Sequence, residues 1–247
     1  MKQQMFSLFI LFSSNLIGQE ITPKTVNNDF KRFQIGVNYS PEIAYRKLIN
    51  LDGSFTSLST IAFKNQSSLI KFGFTTGVSG RYNFTKHFAV ETGIQYSNKG
   101  YSSQKIFALQ SQNDSTATII GKSRQTSSFR YLDIPLKASI TFGERNRIRF
   151  TASAGLVTNI FLTSLTKDVL DYTEGGKRVS KIFNQKNYTK ATLSATAGVG
   201  IDYTLNNRMN LRIEPGFRYG ITRITNNTPV SARLWDIGIN IGYYISL

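Results

Sequence analysis

The 247-residue chain has no cysteine, one histidine and one tryptophan, and only 14 acidic residues against 30 lysines and arginines. Without cysteine there is no disulfide framework, no thiolate metal site and no thiol for a lipid anchor. With His87 as the sole imidazole, no histidine cluster is available to hold a metal. Nothing after the N-terminal segment holds about 20 consecutive apolar residues, which excludes a membrane-spanning helix. Acid is scarce enough to leave a formal net charge of +16, a balance that ordinarily points to nucleic acid. Here the bases are scattered through alternating segments and long connections, with no basic helix and no zinc or RNA-binding signature. Nucleic acid is therefore not an expected partner.

What the chain does have is 13% aromatic residues and 19 glycines, a composition that leans toward β structure. Its start, "MKQQMFSLFILFSSNLIGQE", carries Lys2, an apolar run from Met5 to Phe12 that resumes at Leu16 and Ile17, and small Gly18 before polar Gln19. That pattern predicts a secretory signal peptide over 1–18 and an exported mature chain. Residues 19–32 then form a short periplasmic segment, and 33–247 the folded domain.

Period-2 alternation begins at Phe33 and recurs. Phe33, Ile35, Val37, Tyr39, Pro41, Ile43 and Tyr45 oppose Gln34, Gly36, Asn38, Ser40, Glu42, Ala44 and Arg46. Comparable segments run from Ile70 to Phe84, Phe88 to Ser97, Tyr131 to Phe142, Ile148 to Leu156, Leu193 to Leu205, Arg208 to Ile221 and Leu234 to Leu247. Alternation of this kind is a strand whose two faces meet different media. Eight strands result, long enough for the roughly 9 to 11 residues that a tilted strand needs to cross a bilayer. Their connections alternate between tight turns at Thr85-Lys86, Gly143–Asn146 and Asn206-Asn207 and long loops over 47–67, 103–128 and 166–187, with a shorter one at 225–230. Short turns on one side and long loops on the other are the habit of outer-membrane barrels. Both termini then fall on the periplasmic side, and the last strand closes the ring.

A soluble barrel would also alternate, with its oily face inside, but volume decides against it. About six apolar side chains per strand cannot fit where an eight-stranded barrel has room only to fill its interior or hold one small ligand. The opposite face, rich in Gly, Ser, Thr and Asn, does fit. The fold class expected is all-β, an eight-stranded antiparallel up-and-down transmembrane β-barrel in the outer membrane, with aromatic girdles at the two interfaces. Pro41, Pro135 and Pro215 fall inside strands of a ring that has no free edge, which predicts bulges there.

The polar face carries the acids Glu42, Glu91, Asp133, Asp202, Glu214 and Asp236 and the bases Arg46, Lys71, Arg81, Lys137, Arg149, Arg212 and Arg218. In so narrow a lumen they are expected to pair into a charge network that plugs it, since unpaired buried charge is costly. A diffusion pore would need about 16 to 18 strands. His87 lies beside a tight turn on the periplasmic rim, away from any outward-facing substrate, and reads as a turn residue rather than a general base. No other catalytic constellation or cofactor signature stands out, so neither an enzyme nor a cofactor is expected. The stretch "LTKDVLDYTEGGKRVSKIF" reads as a protruding hairpin turning at Gly175-Gly176, with further turns at Asp52-Gly53 and around Asn113-Asp114. Its surroundings hold the loop bases Lys167, Lys177, Arg178, Lys181, Lys186 and Lys190, which suit phosphorylated lipopolysaccharide or plain solvation. Exposed hairpin edges suit a partner strand.

At "ETGIQYSNKGY" (Glu91 to Tyr101), "RYLDIPLKASITFG" (Arg130 to Gly143), "SAGLVTNIFL" (Ser153 to Leu162), "GVGIDYTL" (Gly198 to Leu205) and "EPGFRYGIT" (Glu214 to Thr222) the chain resembles the PorT-like outer-membrane β-barrels of Bacteroidota. The resemblance runs from about Phe33 to Leu247, with the segments in family order. It implies outer-membrane lipid and lipopolysaccharide as surroundings and the barrel-assembly machinery as an insertion partner. Through the name-giving member it also implies a link to type 9 secretion. Two roles follow as expectations. One is a non-enzymatic structural or interaction barrel acting through its outer hairpins; the other is a secretion accessory acting at the periplasmic rim on secretion proteins.

Overall fold

In β1 (Phe33–Asn50), Phe33, Ile35, Val37, Tyr39, Pro41 and Ile43 face outward, while Gln34, Gly36, Asn38, Ser40, Glu42 and Ala44 are buried. This inverts the arrangement of a water-soluble core. The same inversion holds around the protein, with Phe72, Val78, Ile94, Leu136, Phe150, Val199, Ile213 and Ile237 all on the outer surface. The computed structural model describes residues 31–113, 116–143, 147–185, 188–225 and 228–247. The expected signal peptide, and the periplasmic segment except Lys31 and Arg32, lie outside these residues.

The remaining strands are β2 (Ser68–Asn83), β3 (Phe88–Ser103), β4 (Ile106–Asn113), β5 (Thr116–Phe142), β6 (Ile148–Tyr172), β7 (Lys177–Asn184), β8 (Ala191–Asn206), β9 (Met209–Gly220) and β10 (Val230–Ser246). Eight of them, β1-β2-β3-β5-β6-β8-β9-β10, pair with antiparallel neighbours, and β10 returns to β1 along a seam from Gln34↔Ser246 to Asn50↔Val230. The closed ring satisfies backbone groups that lipid cannot. The chain is thus the expected eight-stranded, all-β transmembrane barrel, with tight turns at one end.

Two strands stand outside the ring. β5 and β6 pair continuously from Phe142↔Phe150 to Gly121↔Tyr172, well beyond the roughly 9 to 11 residues needed to cross lipid. On these projections β4 pairs with β5 from Asn113↔Thr116 to Ile106↔Ser123, and β7 pairs with β6 from Asp171↔Lys177 to Ser164↔Asn184. The result is a four-stranded outer sheet, β4-β5-β6-β7, with its two outermost edges unpaired among the described residues. The β6–β7 hairpin turns at Gly175 and Gly176, both at positive φ (+99° and +95°), where a side chain would be strained. The expected turn at Asp114 lies outside the described residues, but the strands that flank it form the expected hairpin.

The first outer loop departs from expectation. Asp52-Gly53 does turn, with Gly53 at φ +68°, but it leads into a helix, α1 (Phe55–Ser67), not into a hairpin. Ser54 caps it by accepting the Ser57 amide at 3.1 Å, and the Asp52 carboxylate accepts the Ser54 amide and the Ser57 hydroxyl at 3.0 Å. Short polar side chains that satisfy the first free N–H groups are what start a helix. The bulges expected at the prolines are also absent. Pro41 faces Phe74, Pro135 faces Val157 and Pro215 faces Ile239, all in register. On each proline's other side the ladder only skips a pair or two and resumes unshifted, as between Tyr39↔Ile241 and Glu42↔Gly238. A missing donor is absorbed as one gap rather than an inserted residue. Register shifts occur elsewhere, at Ile70/Phe74, Ala108/Leu109, Ser111/Asn113, Arg130/Tyr131 and Thr204/Asn206.

Candidate functional site

The inward faces of the eight ring strands converge on a charged lumen. In its periplasmic half Arg212, fully buried on β9, grips Asp202 of β8 through Nε at 2.6 Å and Nη2 at 3.1 Å. Its Nη1 lies 3.0 Å from Glu91 of β3 and 3.8 Å from Glu214. Arg81 adds a second contact to Asp202 at 3.3 Å, while Lys137 bridges Glu91 at 3.0 Å and Glu214 at 3.6 Å. Such charge-assisted, partly bidentate bonds are the strong ones, and they offset the desolvation that buried charge incurs. Arg212 also lies 5.2 Å from the centre of the Tyr244 ring.

The outer half holds a second cluster. Arg218 reaches Asp133 at 2.7 Å, and Lys99 joins Asp133 at 3.5 Å to Asp236 at 3.2 Å. Asn159 donates to Asp133 at 2.7 Å and accepts from Ser194 at 2.6 Å. Glu42 is buried beside this cluster, its Oε2 without a hydrogen-bond partner among the described residues, and a void of about 50 Å³ lined by Asn38, Glu42, Gln95, Glu214 and Asp236 separates the two clusters. Above them an apolar lid closes the outer mouth: Phe129, Tyr131, Ile224, Ala232 and Leu234, packed against Leu48, Tyr101, Phe161 and Tyr188. Its rings meet at 5.0–5.9 Å.

Of the thirteen lumen charges read from alternation, nine are brought into these ion pairs: Arg81, Glu91, Asp133, Lys137, Asp202, Arg212, Glu214, Arg218 and Asp236. Glu42 lines the void and has no ion pair among the described residues. Arg46 instead stacks its guanidinium 3.7 Å from the Tyr101 ring and donates to Ser68 at 2.9 Å, beneath the lid. Lys71 bonds Asn98 at 3.1 Å near the Ile70/Phe74 register shift. Arg149 of β6, half-buried, sits opposite Asp202 of β8 without an ion pair in the described residues. Lys99 was missed, although it continues the inward alternation of Gln95 and Ser97 by one more step. His87 sits in the β2–β3 turn, with Nδ1 3.0 Å from the Thr141 carbonyl, as expected of a turn residue. Among the described residues no three acidic or histidine side chains converge on a metal position.

The loop bases divide. Lys186 lies outside the described residues, and Lys190 stands just before β8, its carbonyl accepting the Phe161 amide at 2.8 Å. Lys167, Lys177 and Lys181 share one face of the outer sheet by register, with Lys167 directly opposite Lys181, whereas Arg178 points to the other face. β5 adds Lys122 and Arg124 to that first face, two bases the sequence reading left out. Asp171 is the acid among them, 2.8 Å from Lys105 and 3.6 Å from Lys177. The Lys105 hydrogen bond holds its carboxyl below the ordinary aspartate range.

The sequence profile of the family described as outer membrane protein beta-barrel domain matches residues 48–226. Among curated proteins no relative matches the chain. Among solved structures the fold is similar to OprG of Pseudomonas aeruginosa (11% identity, covering 90% of this chain and 100% of that one, TM-score 0.47). It is also similar to Neisserial surface protein A (15%, 87% and 97%, TM-score 0.40) and to the attachment invasion locus protein Ail of Yersinia pestis (11%, 87% and 99%, TM-score 0.36).

Proposed function

The chain belongs to the family of outer membrane protein β-barrel domains, and from that premise we propose a sealed, non-enzymatic barrel that works as an interaction platform through its outer sheet. The observation that carries this reading is a division of labour along β5 and β6. Inside the membrane β5 supplies Asp133 and Lys137 to the ion pairs of the lumen, and β6 supplies Ser153 and Asn159, which hydrogen-bond the same carboxylate network. Beyond the membrane both strands run on into a sheet whose free edges, β4 and β7, are open to a partner. Every residue of β7 is exposed.

Deleting the outer hairpin over residues 167–186 tests the proposal. The shortened barrel keeps its heat-modifiable gel mobility, because the ring is untouched, and loses the ability to complement the phenotype of a strain lacking the protein. Full complementation by the shortened barrel refutes the outer-sheet role. Planar-bilayer recording checks the seal, where steady conductance from the intact barrel counts against it.

A second reading, a PorT-like accessory of protein secretion acting at the periplasmic rim, draws support from where the resembling segments fall. They contribute Glu91, Lys99, Asp133, Lys137, Asp202, Glu214 and Arg218 to the lumen network, not to the outer loops. The resemblance therefore follows the interior scaffold. On this reading, changes in the turns at 84–87 and 207–208 impair secretion and the hairpin deletion does not.

A further inference from the structure

We propose that the outer rim of the β1–β10 seam is a binding site for the phosphorylated headgroup of an outer-leaflet glycolipid. The face that the seam turns to lipid changes character step by step. Ile43 pairs with Ile237, then Tyr45 with Trp235, then Lys47 with Arg233. Because side chains repeat every second residue on one face, all three pairs point outward in a single column. Ile237 is 54% exposed, as a lipid-facing residue should be. Tyr45 and Trp235 meet edge-to-face at 5.8 Å, and Trp235 also touches Phe217 at 6.2 Å. An aromatic cluster of this kind marks the level where acyl chains give way to headgroups. Lys47 and Arg233 stand one pair further out, about 5 to 7 Å beyond, which is phosphate height.

Two cations directly opposite on neighbouring strands repel each other. Neither has an acidic partner among the described residues. Asp236 is buried in the lumen with Lys99, and Asp52 is engaged by Ser54 and Ser57. Arg233 Nε is buried without an acceptor among the described residues. Arg223, exposed just past β9, is followed by Ile224, whose amide bonds Ala232, so a third cation reaches the same rim. An unneutralised basic cluster set against an aromatic belt is relieved by an anion carried at that height in the membrane. A phosphorylated glycolipid supplies phosphate and sugar there, with acyl chains against Ile43 and Ile237 below.

Native mass spectrometry of the purified, detergent-solubilised barrel, titrated with bisphosphorylated lipid A, dephosphorylated lipid A or inorganic phosphate, tests the assignment. The double variant Lys47→Gln/Arg233→Gln should bind bisphosphorylated lipid A roughly thirty-fold more weakly, given the contribution of one surface cation to anionic-lipid attraction. The control Lys86→Gln/Arg208→Gln, on the periplasmic turns, should bind as the parent does, and dephosphorylated lipid A should bind parent and double variant alike, both weakly. Equal lipid A binding by the parent and the double variant overturns the proposal, as does equal binding of the phosphorylated and dephosphorylated lipids by the parent. Competition by inorganic phosphate at matched concentration means a free-anion site and overturns the lipid assignment. Should the double variant fail to show the folded mobility shift, single variants decide. Arg233→Gln should weaken binding roughly five-fold while charge-preserving Arg233→Lys stays near the parent, and equal behaviour of the two overturns the proposal.

Discussion

Replacing Arg212 with methionine removes the guanidinium at the centre of the periplasmic cluster and keeps most of its apolar volume. Three carboxylates, Asp202, Glu91 and Glu214, lose their shared partner; Arg81 and Lys137 remain in ion pairs with them, and Arg149 faces Asp202 without one among the described residues. The three carboxylates and their two ion-paired partners are buried or nearly so, so the orphaned acid cannot turn to water. Breaking a buried pair by deleting one partner typically costs about 3 to 5 kcal/mol, a large share of the roughly 5 to 15 kcal/mol that holds a domain folded. The assay is equilibrium urea unfolding in lipid vesicles. The signal is the fluorescence of Trp235, the chain's only tryptophan, which passes from the lipid face to water as the barrel opens. Adding Asp202→Asn in the methionine background removes one of the stranded charges and should recover part of the loss. A loss below about 1 kcal/mol for Arg212→Met would refute the reasoning, because it would mean that water reaches these carboxylates and the lumen is wet rather than packed.

Three further outcomes can be checked on the same footing. Gly36→Val should cost about 1 to 3 kcal/mol in the urea titration, since a Cβ at Gly36 would fall 2.5 Å from the Tyr244 ring and 2.7 Å from the Tyr243 carbonyl. Ile239→Arg puts a charge on the lipid face near mid-strand, where Ile239 is 47% exposed, and should destabilise by about 2 to 4 kcal/mol in the same assay; no effect would reverse the assignment of faces. Asp171 has its carboxyl pKa lowered by the Lys105 hydrogen bond and by Lys177, so its contribution is fully present above the unfolded aspartate pKa and is lost as pH falls through the lower folded one. Amide protection factors in the β6–β7 hairpin, taken relative to the intrinsic exchange rate at each pH, should therefore fall on acidification through that range, and Asp171→Asn should show the lower protection already at neutral pH.

The ring was legible because each of its strands lies between two media, and that contrast writes itself into every second residue. Ile35 against Gln34 and Ile239 against Asn240 already tell which side meets lipid and which the lumen. Beyond the membrane the contrast fades, and so does the signal. The cap and first turns of α1 read "SFTSLST", whose short polar side chains serve turns as readily as caps, and nothing in its periodicity overrides the turn at Asp52-Gly53. Lys99 was lost for a narrower reason: alternation was followed to Ser97 and stopped one inward position short. The apolar lid was hidden by its composition, not by its register: Phe161 keeps the inward parity of Val157 and Asn159, Tyr131 and Phe129 keep that of Asp133, and the shift that leaves Leu162 as an extra residue comes only beyond Phe161. An aromatic side chain at an inward position, such as Phe161, carries none of the polar contrast that marks the lumen face farther down the strand. The prolines misled in the opposite sense, because an in-register gap leaves no trace in the sequence that distinguishes it from a bulge.

The seam that joins β1 to β10 carries a kinetic consequence. Its contacts include the hydrogen bond from Gln34 to Ser246, between residues 212 positions apart, so the ring closes only when nearly the whole chain is in hand. Until then any partly built sheet has two raw edges, neither tolerable in hydrocarbon. Contacts so distant in sequence also form slowly. Insertion and folding therefore cannot be separate stages for this chain. It must either reach the bilayer with its edges held by another protein or cross the lipid and close its ring in one concerted event.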